Sequence, residues 1–129
     1  MDQLDFLLED GEKPFGIKHR CFYFSKDVVL FVKDCKYDKV FASLFDQLVR
    51  SATSIGANLI EGKAGSSRKD WIKYTTIRLK SANEAKYWLC LIRDTLDIDN
   101  ERIRALISEA IEISNIIASI IINAKKSNL

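Results

Sequence analysis

Small and polar residues interrupt a long apolar helical pattern at residues 48–61, which read LVRSATSIGANLIE. Core helices usually carry Leu and Ala at such positions. Small side chains let a neighbouring helix approach closely. Any buried hydroxyl or amide there must form hydrogen bonds, because an unpaired polar group costs about 1–3 kcal/mol. The segment therefore predicts a helix that packs tightly on more than one side, which is typical of an assembly element rather than a catalytic centre.

The spacing of the apolar residues predicts four helices and no sheet, because steps of three and four place them on one face of each segment. The expected helices cover residues 25–35, 39–61, 68–95 and 100–125. Gly62 is expected to end the second helix, and Ser67 and Asp70 have the spacing of a capping box for the third. Since the connections are short, we expect an all-α domain in residues 25–129, an antiparallel up-down-up-down four-helix bundle.

The N-terminal residues 1–24 show no clear period, because Gly11, Pro14 and Gly16 interrupt them. We expect them to form an arm or loop outside the bundle. Ser25 is then expected to cap the first helix.

Charge is distributed unevenly along the chain. Residues 1–12 contain five acids and no base, residues 63–93 contain eight bases and two acids, and residues 94–112 contain six acids and two arginines. The basic region would attract nucleic acid or an acidic partner, although the net charge of +2 by itself indicates neither.

Three features predict a soluble cytoplasmic protein. Cys21, Cys35 and Cys90 form no CxxC pair, which is typical of buried thiols in a reducing compartment. The acidic N-terminus is the reverse of a secretion signal. Residues 111–122 are apolar but are expected to be too short and too interrupted by polar residues to cross a bilayer, which requires about 20 apolar residues.

No combination of residues favours an enzyme. The single histidine, His19, has only Cys21 near it in sequence, and Glu61 and Glu84 lack the histidines of a di-metal bundle site. The loop at 62–67 lacks the order of a phosphate-binding loop. We expect no catalytic residue, cofactor, metal or small-molecule substrate, and we expect the two glutamates to accept hydrogen bonds from arginines or hydroxyls.

A basic strip lies on the third predicted helix, opposite its apolar stripe. The strip consists of Lys69, Lys73 and Lys80, and Lys63 and Arg68 adjoin its start. Two interpretations remain open. The strip is either a solvated face that maintains solubility, or a surface that contacts RNA phosphates and loses affinity steeply with salt.

The two central helices resemble a known family. The residues that carry the resemblance read LVRSATSIGANLIEG and SRKDWIKYTTIRLKSANEAKYWLCLIRD, followed by an Ile-rich last helix. They are similar, over about residues 25–122, to the bacterial four-helix-bundle proteins of 23S rRNA intervening sequences. The resemblance implies a homopentamer without enzymatic activity. A relative of that family, the accessory protein of diversity-generating retroelements, is such a pentamer and binds reverse transcriptase and structured RNA.

The family motif is expected to supply contacts between helices or between subunits. Its candidate residues here are Arg50, Ser54, Gly56, Asn58, Glu61, Arg78, Glu84 and Trp88. Arg78 departs from the pattern, which usually has a small residue there. On the apolar stripe its charge must be paired, and we expect Glu61, Glu84 or a carboxylate at a subunit interface to pair with it.

The expected partners are further copies of the chain, because the fourth predicted helix is apolar on two sides and would expose a large patch in isolation. Five copies are expected by resemblance alone. Structured RNA or a nucleic-acid-processing protein is the expected further partner. The alternative is a purely structural or protein-interaction oligomer without affinity for nucleic acid.

Overall fold

The computed structural model describes residues 16–65 and 67–126, with the backbone alone for 59–65. These ranges contain four long helices and no β-strand. The helices are α1 (Ile17–Asp34), α2 (Ala42–Gly65), α3 (Arg68–Thr95) and α4 (Glu101–Lys126), and a short 3-10 helix (Lys39–Phe41) precedes α2. The prediction of an all-helical chain with four helices is confirmed.

Each helix packs on the helices before and after it, and α1 closes the ring against α4. In each neighbouring pair, residues near the end of one helix contact residues near the start of the other. The contacts that define these directions are Ser25–Ala52, Tyr37–Phe45, Arg50–Glu84, Ser54–Ser81, Arg68–Ala124, Arg20–Glu109 and Asp34–Arg102. Neighbouring helices therefore run antiparallel.

The core lies along the axis of the bundle and receives side chains from all four helices. Its largest fully buried members are Phe24, Phe31, Phe45, Leu48, Ile55, Leu89, Ile92, Ile103, Ile113 and Ile117. Burying an aliphatic or aromatic side chain of this size stabilises a fold by about 1.5–3 kcal/mol relative to leaving it exposed. This burial holds α1 to α4 together.

Polar side chains begin α3 and α4 as the sequence indicates. Ser67 Oγ accepts a hydrogen bond from the Asp70 amide at 3.0 Å, which is the predicted cap of α3. Asn100 Oδ1 accepts from the Ile103 amide at 3.0 Å at the start of α4. Between these helices Asp97 adopts a φ of 55°, the left-handed conformation that often follows a helix end.

The predicted start of α1 is wrong. The helix begins at Ile17 rather than Ser25, so residues 17–24 belong to the bundle and not to an arm. Cys21 and Phe24 are fully buried in the core, and this burial stabilises the extra turns of helix. Ser25 caps nothing, because its hydroxyl donates to Cys21 O at 2.9 Å and Ala52 O at 3.1 Å within the bundle. Residues 1–15 lie outside the described residues.

The predicted end of α2 is also wrong, because the helix continues through Gly62 to Gly65. Glycine in a helix interior costs about 1 kcal/mol relative to alanine, so Gly62 weakens the helix without ending it.

Helix α4 is longer than the apolar tail expected from the sequence. Its 26 residues are long and apolar enough to cross a membrane by length and composition alone, so the sequence argument that it is too short was wrong. Only 39% of its most apolar stretch is buried in the bundle. A core helix of a soluble protein passes the same test, so this is weak evidence for a membrane span.

Candidate partner-binding surfaces

A polar seam joins α2 to α3, formed by Arg50, Ser54 and Asn58 of α2 with Ser81 and Glu84 of α3. Arg50 Nη2 donates to Glu84 Oε1 at 2.5 Å, and Ser54 Oγ lies 3.0 Å from Ser81 Oγ. Asn58 Nδ2 donates to Ser54 O at 2.8 Å and to Ser54 Oγ at 2.9 Å. The expected bond from an arginine to Glu84 is therefore present. These motif residues connect two helices of one chain.

The remaining hydroxyls of the small-residue segment are satisfied inside α2. Ser51 Oγ donates to Gln47 O at 2.9 Å, and Thr53 Oγ1 donates to Val49 O at 2.8 Å. Both are bonds to a carbonyl four residues earlier, a common arrangement for serine and threonine in helices. These two groups therefore need no partner subunit.

Gly56 faces α1 but does not require its lack of a side chain there. A β-carbon at this position would lie 3.7 Å from Cys21 Cβ, which is ordinary van der Waals contact. The contact between α1 and α2 would thus accommodate alanine.

Arg78 is buried, as its position on the apolar stripe predicts, with 7% of its surface exposed. Its Nη2 donates to Thr75 Oγ1 at 2.6 Å, but its Nε has no hydrogen-bond partner. Burial lowers the pKa of the Arg78 guanidinium, because the charged form loses its hydration. The expected pairing with Glu84 is wrong, since Glu84 accepts from Arg50. The side chain of Glu61 lies outside the described residues, so that pairing stays a prediction.

Two further buried polar atoms lack partners, Trp88 Nε1 and Ser114 Oγ. Trp88 is half-buried and packs edge-on against Tyr87, with ring centroids 5.1 Å apart. Buried polar atoms without partners are uncommon in native proteins, and each one indicates a place where a further group is expected.

The basic strip lies in solvent on the outer face of α3. Lys69, Lys73 and Lys80 are exposed, and none of the three forms an ion pair with a carboxylate in the described part of the chain. Arg68 is also exposed, but its guanidinium donates to Ala124 O of α4 and is therefore engaged. The side chain of Lys63 lies outside the described residues.

The same face of α3 continues with polar residues and one aromatic ring. Asn83 and Tyr87 are exposed, and Thr76 is half-buried. Lysines contact phosphates without reading sequence, whereas base recognition in single strands depends on aromatic stacking. With Tyr87 the one aromatic residue at these positions, the face is suited to phosphate contacts.

Helix α4 keeps a second apolar side outside the bundle, as predicted. Its inner side buries Ile103, Ile113 and Ile117, whereas Ile111 and Ile122 on the outer side are 40% and 52% exposed. Isoleucines this exposed, on a helix whose opposite side forms core, provide an apolar surface that a further copy of the chain would cover.

No described cluster is suited to catalysis. Among residues 16–65 and 67–126, no group of three His, Cys, Asp or Glu side chains is arranged to hold a metal ion. Burial raises the pKa of the Cys21 thiol to about 12, so at neutral pH it is protonated and a poor nucleophile.

Sequence reasoning missed the contribution of α1 to the polar contacts. Arg20 pairs with Glu109 of α4, an interaction that raises the pKa of the Arg20 guanidinium. The steps of three and four from Cys21 through Phe24 and Val28 would have indicated the helix.

Two comparisons relate this chain to known proteins. The family model described as "23S rRNA-intervening sequence protein" matches residues 15–119. A crystal structure from Bacteroides thetaiotaomicron VPI-5482, described as a protein with unknown function from the S23 ribosomal protein family, is 34% identical to this chain. The match covers 82% of this chain and 98% of that one, with a TM-score of 0.72. None of the curated proteins matches.

Proposed function

The chain belongs to the 23S rRNA-intervening sequence protein family, and on that premise we propose that it is a non-enzymatic, oligomeric bundle that binds structured RNA. The observation that carries the proposal is the basic strip. Lys69, Lys73 and Lys80 are aligned on one exposed face of α3 without carboxylate partners in the described chain. The protein acts in the cytoplasm as an adaptor that brings RNA, or a protein that processes nucleic acid, to the assembly.

Oligomerisation follows from the outer side of α4. Ile111 and Ile122 remain exposed in the single chain, and burial against another subunit removes their apolar surface from water at about 25 cal/mol per Å². A pentamer is proposed from family resemblance. Five copies would present five basic strips, so weak contacts to one RNA would add to an overall affinity well above that of one strip.

The RNA proposal is tested by a titration of a structured RNA hairpin at two salt concentrations. The variant Lys69→Glu/Lys73→Glu/Lys80→Glu should lose binding, because its strip repels phosphates. The wild type should bind with a steep salt dependence. A matched control, Lys33→Glu/Lys36→Glu/Lys39→Glu, makes the same change in net charge at exposed positions at the other end of the bundle. It should keep most of the affinity. Equal losses in both variants would indicate a general charge effect and contradict a specific strip.

The assembly proposal is tested by sedimentation or light scattering. The wild type should have about five times the 14.8 kDa mass of one chain. The variant Ile111→Glu/Ile122→Glu should dissociate, whereas Val40→Glu, an exposed apolar site away from α4, should not. A wild-type monomer at micromolar concentration would contradict oligomerisation. A dimer or tetramer would contradict only the number five.

A second candidate is a protein-interaction oligomer without affinity for nucleic acid. The exposed isoleucines of α4 favour it, because they provide a surface for protein and none for RNA. If the wild type assembles but does not bind the hairpin at low salt, this function replaces the first.

A further inference from the structure

The side of α1 that faces away from the bundle carries a stripe of mixed apolar and basic residues, here called the outer stripe. Cys21, Phe24, Val28 and Phe31 point into the core, so the residues on the opposite side follow one another at steps of three and four. The outer stripe consists of His19, Phe22, Lys26, Val29, Leu30 and Lys33. Val29 and Leu30 are 43% and 37% exposed, and both lysines are exposed.

His19 is the exception on this stripe, because only 4% of its surface is exposed. Successive residues turn by about 100° around a helix, so His19 points within about 20° of Lys26, which is exposed. The residues of α1 that contact its neighbours point elsewhere. Ser25, which bonds α2, lies about 120° to one side of His19, and Arg20, which pairs with α4, lies about 100° to the other. No helix in the described part of the chain therefore lies over His19.

We infer that the N-terminal segment of the same chain, residues 1–15, folds back along the outer stripe and covers His19. The chemistry of the two surfaces is complementary. Residues 1–12 contain five acids and no base, and they include the apolar residues Leu4, Phe6, Leu7 and Leu8. The stripe offers lysines to the acids and half-exposed Phe22, with Val29 and Leu30, to the apolar side chains.

The segment has the length and the entry point that this contact requires. It joins the helix at Gly16, one turn before His19, and residues 11–16 contain two glycines and a proline, which favour a reversal of the chain. The ten residues before Gly11 span about 15 Å as a helix and about 33 Å when extended. The outer stripe from His19 to Lys33 is about 21 Å long.

The outer stripe is thus an intramolecular docking surface for an acidic, apolar segment. This inference does not depend on the proposed function, because it concerns α1 and the N-terminus rather than the α3 strip or the outer side of α4.

The single histidine of the chain provides a direct probe. Diethyl pyrocarbonate acylates accessible histidine, and mass spectrometry locates the modification. In the full-length wild type, His19 should react slowly at every protein concentration. In the full-length variant Leu7→Glu/Leu8→Glu it should react about 10-fold faster, as expected for release of a segment that is docked about 90% of the time. Lys26→Glu should also accelerate the reaction, because it repels the acids.

The matched control is Val40→Glu, which introduces the same charge at an exposed apolar site and should leave the His19 rate unchanged. Circular dichroism of each variant should show wild-type helicity. A wild-type His19 that reacts like free histidine overturns the inference, and so does protection that survives Leu7→Glu/Leu8→Glu. Protection that the wild type loses on dilution also overturns it, because the cover then comes from a second copy.

Discussion

The two halves of the bundle bury different chemistry. In the half where α1 passes into α2, Phe31, Phe45, Ile92 and Ile103 are at most 2% exposed. Tyr37 stacks on the buried ring of Phe45, with centroids 3.8 Å apart and planes 10° from parallel. Every buried group at this end is apolar, so its contribution to stability comes from surface removed from water.

The other half contains buried polar groups that are only partly satisfied. Arg78 has one hydrogen bond, to Thr75, and its Nε has none. Ser114 Oγ has no partner, and Cys21 contributes a small thiol where the first half has phenylalanine.

The difference indicates which half is complete within one chain. A fully apolar core needs nothing further, whereas a buried guanidinium with one neutral partner costs free energy until a carboxylate compensates it. The polar half is therefore the part of the bundle whose stability depends on groups beyond those described, and three measurements test the contrast.

The largest effect is expected from truncation in the apolar half. Phe45→Ala should lower the free energy of unfolding by about 3–5 kcal/mol, because it removes buried surface and leaves a cavity. Urea unfolding followed by circular dichroism measures the change. The matched control in the polar half is Ser114→Ala, which removes an unpaired hydroxyl and should be neutral or slightly stabilising. Similar losses in the two variants would remove the contrast between the halves.

An intermediate effect of opposite sign is expected at Arg78. Arg78→Met should raise the free energy of unfolding by about 1–3 kcal/mol, since an apolar side chain of similar length avoids the desolvation of a charge. Arg50→Met, at the exposed end of the polar seam, should change it by less than about 1 kcal/mol. A loss of several kcal/mol for Arg78→Met would instead indicate a carboxylate partner, and Glu61→Gln would then show whether it is Glu61.

The smallest effect is a pH dependence that originates at Cys21. Burial raises the pKa of its thiol from 9.0 to about 12, so the folded chain retains a proton that the unfolded chain releases. The associated stability is present below pH 9 and is lost as the pH rises towards 12, amounting to about 1.4 kcal/mol at pH 10.

The comparison is between wild type and Cys21→Ala, each unfolded in urea at pH 7 and pH 10. The wild type should lose about 1.4 kcal/mol more than the variant, because all other titrating groups are common to both. Equal losses would show that the Cys21 thiol titrates normally and that this layer of the core admits water.

The sequence predicted the contact between Arg50 and Glu84 only as one possibility among several. Both residues were identified with the family motif, but the motif does not say whether its residues meet within a chain or between chains. The structure places them 2.5 Å apart on α2 and α3 of one chain. For Arg78 the motif offered Glu84 as a partner, and the geometry excludes it, because Arg50 already occupies that carboxylate.

The sequence by itself determined the helical class of this protein, the existence of four helices and the exposure of the Lys69, Lys73 and Lys80 strip. Those properties depend on the local period of apolar and polar residues, which each segment carries alone. The extension of α1 back to Ile17 and the continuation of α2 through Gly62 were decided only in the tertiary structure. Packing of Cys21 and Phe24 into the core outweighs the weak local signal of residues 17–24, because several kcal/mol of burial exceed helix propensities of less than about 1 kcal/mol per residue.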